Sequence, residues 1–206
     1  SRFTLSRIRE IWGFSQWMLV AGIGQFFARK IDEFLVGRLG SATDLGLYSV
    51  AADLGQTPSL ELSAPINRAL FPALARATTT PSQFKEAVAK TVTAVNILIL
   101  PAGFGLAAVS DLVIPVLLGA RWSDAAPMLA MFAIAWALRY MAGPYSVVLM
   151  IHGNSRAFGL LNWVEAALVL AAGLALLSHG VSGLVWARSI AAVATMLVWV
   201  AVGRSA

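Results

Sequence analysis

The sequence has no cysteine, only two histidines and very little charge. Without cysteine there is no disulfide framework, no thiolate metal site and no thiol nucleophile. The same absence is silent on redox compartment, since nothing here needs either state. His152 and His179 fall in separate turns, and no HExxH, GxSxG, DxD or P-loop pattern occurs. No metal site, cofactor or enzymatic centre is therefore expected. Charged residues are 12% of the 206, against 59% hydrophobic. A soluble domain carries about twice that charge, so this chain cannot clothe a water-facing surface of its size. Disorder and a coiled coil are excluded on the same ground. The composition is that of an integral membrane protein.

What charge there is leans basic, with a formal net of +5. The Lys and Arg residues are scattered at segment ends rather than gathered on one stretch. That pattern reads as membrane topology and contact with anionic lipid headgroups, not as a nucleic-acid surface.

A helix needs about 20 residues to cross a bilayer core. Ile11 to Ala28 carries no charge, and helical character continues through Phe34 to Arg38, making span one. Gly40-Ser41-Ala42 breaks it. Span two runs from Asp44 to Arg76 and is the least apolar, with Pro58, Pro65 and Pro72 at seven-residue intervals. Thr78-Thr79-Thr80-Pro81 is a turn, and Pro81 suits the first turn of a new helix. Span three starts amphipathic with Lys85, Glu86 and Lys90, then is purely apolar from Val92 to Val109 around Pro101. Asp111 to Gly119 is too short to cross and reads as a re-entrant or interfacial helix. Ser123 or Asp124 suits an N-cap for span four, Ala125 to Ile151, which Arg139 and Pro144 interrupt. Turns at His152 to Ser155 and Ser178 to Gly180 separate span five, Arg156 to Leu177, from span six, Val181 to Val202. The expected fold is all-α, an integral membrane bundle of about six transmembrane helices. Strands are not expected, because barrel strands alternate over about 10 residues and these runs are continuous.

Loop Lys and Arg set the orientation. Arg2, Arg7, Arg9, Arg76, Lys85, Lys90, Arg156 and Arg204 lie on one side; Arg38 and Arg121 lie on the other, with Asp44, Asp111 and Asp124. Both ends of the segment are expected in the cytoplasm. Trp12, Trp17 and Trp199 then fit an inner aromatic belt and Trp122 an outer one.

Ionisable side chains inside spans are costly and are functional candidates by default. Span one has Arg29, Lys30, Asp32 and Glu33; span two has Asp53, Glu61 and Arg68; Arg139, Glu165 and Arg188 follow in spans four, five and six. At about 100° per residue, Glu61 lies roughly 80° and Arg68 roughly 60° from Asp53 around one helix. Three charges in one sector should face a partner helix or a wet cavity, and the prolines should kink or break span two there. Arg29 has the spacing to pair locally with Asp32 or Glu33, which leaves Lys30 in need of a partner. Arg139 and Glu165 both lie mid-span and are expected to pair. Arg188, nearer an outer end, has room to snorkel. The glycine pairs Gly22/Gly24 and Gly180/Gly183 read as close helix packing.

From Lys30 the chain reads KIDEFLVGRLGSATDLGLYSVA, then APINRALFPALAR from Ala64 to Arg76, and later LVIPVLLGARWSDAAPML. These stretches resemble the Wzx-type polysaccharide repeat-unit exporters of the multidrug/oligosaccharidyl-lipid/polysaccharide superfamily. The matching positions include Asp32, Gly37-Arg38-Leu39-Gly40, Leu45-Gly46, Tyr48-Ser49 and Pro65 to Arg76. The likeness is dense in the first third and mainly one of layout thereafter. The family commonly has Asn after the Asp, where this chain has Glu33, a departure that bears on ion or sugar preference. The resemblance implies one C-terminal six-helix lobe (residues 1–206) of a two-lobe bacterial inner-membrane transporter. The N-terminal lobe would be a partner outside this chain, and the start at Ser1 fits a piece of something longer. It also implies alternating access and a polyprenyl-diphosphate-linked oligosaccharide as cargo, with a proton or sodium as coupling ion. Arg29, Lys30, Arg68 and Arg139 are then candidates for the diphosphate, and Asp32, Glu33, Asp53, Glu61 and Glu165 for the ion. Two other functions stay open: a cation-coupled multidrug exporter of the same superfamily, and a membrane polysaccharide polymerase or ligase.

Overall fold

The computed structural model describes residues 8–76 and 81–205. They form helices α1 (Ile8–Leu39), α2 (Ala42–Arg76), α3 (Pro81–Ala108), α4 (Ser110–Leu118), α5 (Ala126–Tyr140), α6 (Gly143–Ile151), α7 (Ser155–Ala175) and α8 (Gly180–Ser205). Short 3-10 segments at Ala120–Ala125 and Leu177–His179 precede α5 and α8, and no strand occurs among the described residues. The fold is an all-α membrane bundle. The expected turn at Thr78 to Thr80 lies outside the described residues; Pro81 does open α3.

Four stretches are long and apolar enough to cross a bilayer: 82–108, 120–151, 155–175 and 177–204. The count of six expected from sequence is reached only if α1 and α2 also cross. At 32 and 35 residues they have the length, each rising about 50 Å, but their polar content leaves them off the apolar set. The nine-residue α4 is short, as expected.

Local chemistry explains most boundaries. Ser41 and Asp44 form a reciprocal capping box at the start of α2: Asp44 N–H donates to Ser41 Oγ at 3.1 Å, and Ser41 N–H to Asp44 Oδ2 at 2.8 Å. Asn154 Oδ1 accepts from Ala157 N–H at 3.1 Å and caps α7. The expected cap at Ser123 or Asp124 does not form. Ser123 Oγ instead donates to the Ala120 carbonyl inside the 3-10 turn, and α5 begins at Ala126 without a side-chain cap. The interruption of span four is real: α5 ends at Tyr140 and α6 restarts at Gly143 with Pro144 in its first turn. By contrast, α2 runs unbroken past Pro58, Pro65 and Pro72.

Packing is organised by small residues. On α2, Ala51, Gly55, Ser59 and Ser63 are buried at four-residue spacing. A Cβ on Gly55 would meet Phe132 Cβ at 2.8 Å, so α2 lies hard against α5. Across α5, Gly103 brings α3 against Ala133 and Ala137. On α1, Ala21, Gly24 and Ala28 are buried against α7, where Trp163 Nε1 donates to the Val20 carbonyl at 3.0 Å. Gly24 is thus a packing glycine, whereas Gly22 faces open space. Gly183 packs against the Leu176 carbonyl, while Gly180 supplies a turn at φ +65°. Although α1 and α2 are consecutive, each packs far more on its own support, α7 or α5, than on the other. They diverge from their two-residue turn and leave a cleft between them.

Candidate functional site

The cleft is walled by Gln25, Ala28 and Arg29 of α1 and Gln56 of α2, and floored by Trp136, Arg139 and Tyr140 of α5 with Glu165 of α7. Its volume is about 90 Å³, room for a few waters or one compact anion rather than an oligosaccharide. The helix break after Tyr140 lies at this floor.

At the centre, Arg139 Nη2 donates to Glu165 Oε2 at 2.6 Å, with side-chain exposures of 16% and 12%. This is the pair expected from their mid-span positions. Glu165 stands ten residues from either end of α7, about 15 Å. The Arg139 guanidinium also sits over the Trp199 ring, 5.5 Å from its centroid, and its Nε is buried without a hydrogen-bond partner. Gln56 Nε2 donates to the Tyr140 hydroxyl at 2.9 Å, closing one side of the cleft. Arg29 is exposed at the opposite wall. The site therefore holds two guanidinium groups, one carboxylate and three neutral polar side chains.

A second buried cluster lies nearer the α1–α2 turn. Tyr48 Oη donates to Asp32 Oδ2 at 2.9 Å, and Arg188 Nε approaches the same oxygen at 3.5 Å. Arg188 also donates to the Ala28 carbonyl and lies 4.7 Å from the Trp136 ring centroid. Helices α1, α2, α5 and α8 are joined here. Arg188 does not snorkel, as its position eight residues into α8 led us to expect. It is 5% exposed because α1 supplies both a carboxylate and a carbonyl at that depth.

The local pairing expected for Arg29 is likewise corrected. Lys30, not Arg29, holds Glu33, with Nζ at 2.8 and 2.7 Å from its two carboxylate oxygens. Asp32 is on the buried side of α1 and turns to α2 and α8. Trp199 is 2% exposed and stacks edge-on with Phe158, so it belongs to the core and not to an interfacial belt. Trp12, 70% exposed, remains consistent with one.

The sector on α2 stays uncovered. Asp53, Glu61 and Arg68 are all exposed, on the face away from the Gly55 stripe. Asp53 is close enough to act electrostatically on Lys30 across the gap. So Arg29, Arg139 and Glu165 are brought together at the cleft, whereas Lys30, Glu33 and Asp53 do not line it; Asp53, Glu61 and Arg68 follow one open side of α2. Gln25, Gln56 and Tyr140 were not singled out from sequence, and Tyr48 only as a motif position without a role. Neutral polar residues cost less inside a span than charged ones, so they stood out less beside the ionisable side chains.

The comparisons with known proteins agree with the motifs. A family model described as polysaccharide biosynthesis protein matches residues 1–127. The chain is similar to the teichuronic acid biosynthesis protein TuaB of Bacillus subtilis, with 27% identity over 95% of this chain and 41% of that protein. It is also similar to the lipopolysaccharide biosynthesis protein WzxC of Escherichia coli, 26% identical over 72% of this chain and 30% of that one. A third relative is the succinoglycan biosynthesis transport protein ExoT of Rhizobium meliloti, 25% identical over 65% of this chain and 27% of that protein. The chain thus spans less than half the length of the curated relatives it matches. No solved structure matches. With the matched region covering α1 to α4, more than half of the chain, the chain belongs to the polysaccharide biosynthesis protein family.

Proposed function

We propose that this chain is one lobe of a multi-pass transporter that moves polyprenyl-diphosphate-linked oligosaccharides across the bacterial inner membrane by alternating access. The observation that carries this reading is the cleft between α1 and α2. Arg29 on its wall and Arg139 on its floor both line it, in a helical bundle whose relatives bear the names of polysaccharide biosynthesis and transport proteins. Guanidinium groups bind phosphate oxygens through paired N–H donors, and more strongly where water is scarce. The cleft's size suits the phosphates; the sugars and the polyprenyl chain would lie outside it. The uncovered charged side of α2 supports an N-terminal lobe closing the cavity. A broken helix at mid-depth, as at Tyr140 to Gly143, is a recurrent feature of alternating-access sites.

A multidrug exporter of the same superfamily would be better served by acids and aromatics without arginine, and the cleft is richer in guanidinium than in carboxylate. Both ends of the segment in the cytoplasm, and a proton or sodium as coupling ion, complete the proposal. A strain lacking the full-length protein should accumulate its lipid-linked oligosaccharide on the cytoplasmic leaflet, and the wild-type gene should clear it. An unchanged lipid-linked pool in the deletion strain would overturn the reading.

A further inference from the structure

From Leu112 to Leu118 every residue is apolar, and charge stands at both ends: Asp111 before, Arg121 and Asp124 after, all three exposed. Helix α4, which carries this run, joins two stretches that each cross the bilayer, 82–108 and 120–151. Nine residues of helix are about 14 Å long, under half of a hydrocarbon core of about 30 Å. One face of α4 carries Ser110 and Ile114, both buried. Ile114 shares a cluster with Leu47 and Tyr48 of α2 and with Leu129 and Phe132 of α5. Counted from Ala42 and Ala126, where those helices begin, these partners lie about 5–9 Å along them at 1.5 Å per residue. So α4 is not stacked above the bundle but packs at the depth of its outermost turns. The opposite face is apolar as well and uncovered: Leu112 and Val116 are 68% and 81% exposed. At about 100° per residue both point roughly 160° away from Ile114.

We infer that this outward face is a phospholipid contact: α4 lies along one leaflet, with Leu112 and Val116 among the acyl chains and Arg121 and Trp122 at the headgroup phosphates. A helix apolar on both sides has no face to offer water. Its place between two crossing stretches puts the bare side at membrane depth, and charge at both ends keeps it along the leaflet rather than pointing into it. Past α4, Gly119 turns the chain at φ +91°, and the Arg121 guanidinium comes 5.9 Å from the Trp122 ring centroid. Cation and aromatic ring together suit the headgroup level, where guanidinium binds phosphate oxygens. No carboxylate pairs with Arg121 among the described residues. A protein partner on this face would have to bury Asp111, Arg121 and Asp124 beside it, whereas a leaflet leaves them in its polar zone. Trp122 also leans on Gly46, its ring 3.8 Å from where a Cβ would stand. Through Ile114 and Trp122, α4 thus ties α2 and α5 to the leaflet and sets the height of the α1–α2 turn. In the orientation proposed above this is the outer leaflet; the contact itself depends neither on that orientation nor on the cargo.

The test places single cysteines, each carrying a nitroxide, in the full-length protein freed of any other cysteine and held in phospholipid nanodiscs. Leu112→Cys and Val116→Cys both point away from the core, so the label leaves the packing intact. Power saturation compares collisions with oxygen, which concentrates in lipid, and with a nickel chelate, which stays in water. Oxygen should prevail at 112 and 116, at a depth of about 5–10 Å, and the chelate should prevail at Ser123→Cys. Chelate prevailing at 112 and 116 would put the face in water and refute the contact. Neither reagent reaching them would mean that protein covers the face, another lobe or a second copy, and would refute it equally. A depth near the bilayer centre would make α4 re-entrant and overturn the inference as well. None of these results touches the transport reading, which the lipid-linked pool of the deletion strain tests separately.

Discussion

Arg188 divides its donors between Asp32 and the Ala28 carbonyl, with the Trp136 ring under it. Removing one member of a buried pair leaves the other charge uncompensated, at a cost of about 3–5 kcal/mol, whereas replacing both with apolar residues of similar volume is often tolerated. Asp32→Ala should therefore lower the thermal stability of the full-length protein severely. Asp32→Leu combined with Arg188→Met should recover most of it, measured by fluorescence-detected unfolding. A double variant no more stable than the single one would show that the pair is not what Asp32 is for. Arg68 makes the opposite case, being exposed on the open side of α2. If it meets substrate phosphates, Arg68→Ala should abolish export at normal protein abundance, and Arg68→Lys, which keeps charge but loses the fork, should retain part. Normal export by the alanine variant, or failure through lost protein, would exclude that role. The Arg139–Glu165 pair was legible in the sequence because both residues sit at mid-span, too far from either end to snorkel, where an unpaired charge is costly. The Arg188–Asp32 pair was not. Each lies near enough to a helix end to have an alternative, and only the adjacency of α8 and α1 decides.

At the scale of the element, α2 is two faces read by different rules. Its charges alone located the uncovered side. Its packing side, Ala51-Gly55-Ser59-Ser63, went unread because small residues at four-residue spacing look unremarkable beside acids and prolines in one helix. Bilayer helices approach closely through such stripes. Gly55→Leu should overpack the α2–α5 seam, cost about 1–3 kcal/mol or more, and reduce the folded fraction in detergent. Gly22→Leu, on an open surface of α1, should leave it unchanged. Equal losses from the two substitutions would mean helix propensity, not close approach, governs both. Of the expected kink or break at the prolines, the break does not occur. An interior proline removes one hydrogen bond and strains one turn, yet α2 continues past all three, held along one side by the seam with α5.

For the whole molecule, the basic loops give an orientation that labelling can test. If both ends are cytoplasmic, as proposed, a cysteine at Ser178 should react with an impermeant thiol reagent added outside intact cells, and one at Ser155 should not. The reverse labelling would invert the topology. Element number and most turns were readable from composition and from Gly, Ser and Pro punctuation, whereas the pairing of helices was not. Nothing in a one-dimensional pattern tells that α1 and α2, neighbours in sequence, will lean on α7 and α5 and stand apart.

The bare side of α2 also bears on how the protein is made. A charge at the centre of an inserting helix costs about 2.5–3.5 kcal/mol on the insertion scale, and α2 carries Asp53, Glu61 and Arg68 where no later helix of this chain covers them. In a glycosylation-mapping assay, α3 or α8 placed alone should pass from the translocon into lipid, and α2 alone should not. Its entry would be a late step of biogenesis, waiting on water or on protein from beyond these residues, so that the order of helices along the ribosome is not the order in which they reach the bilayer.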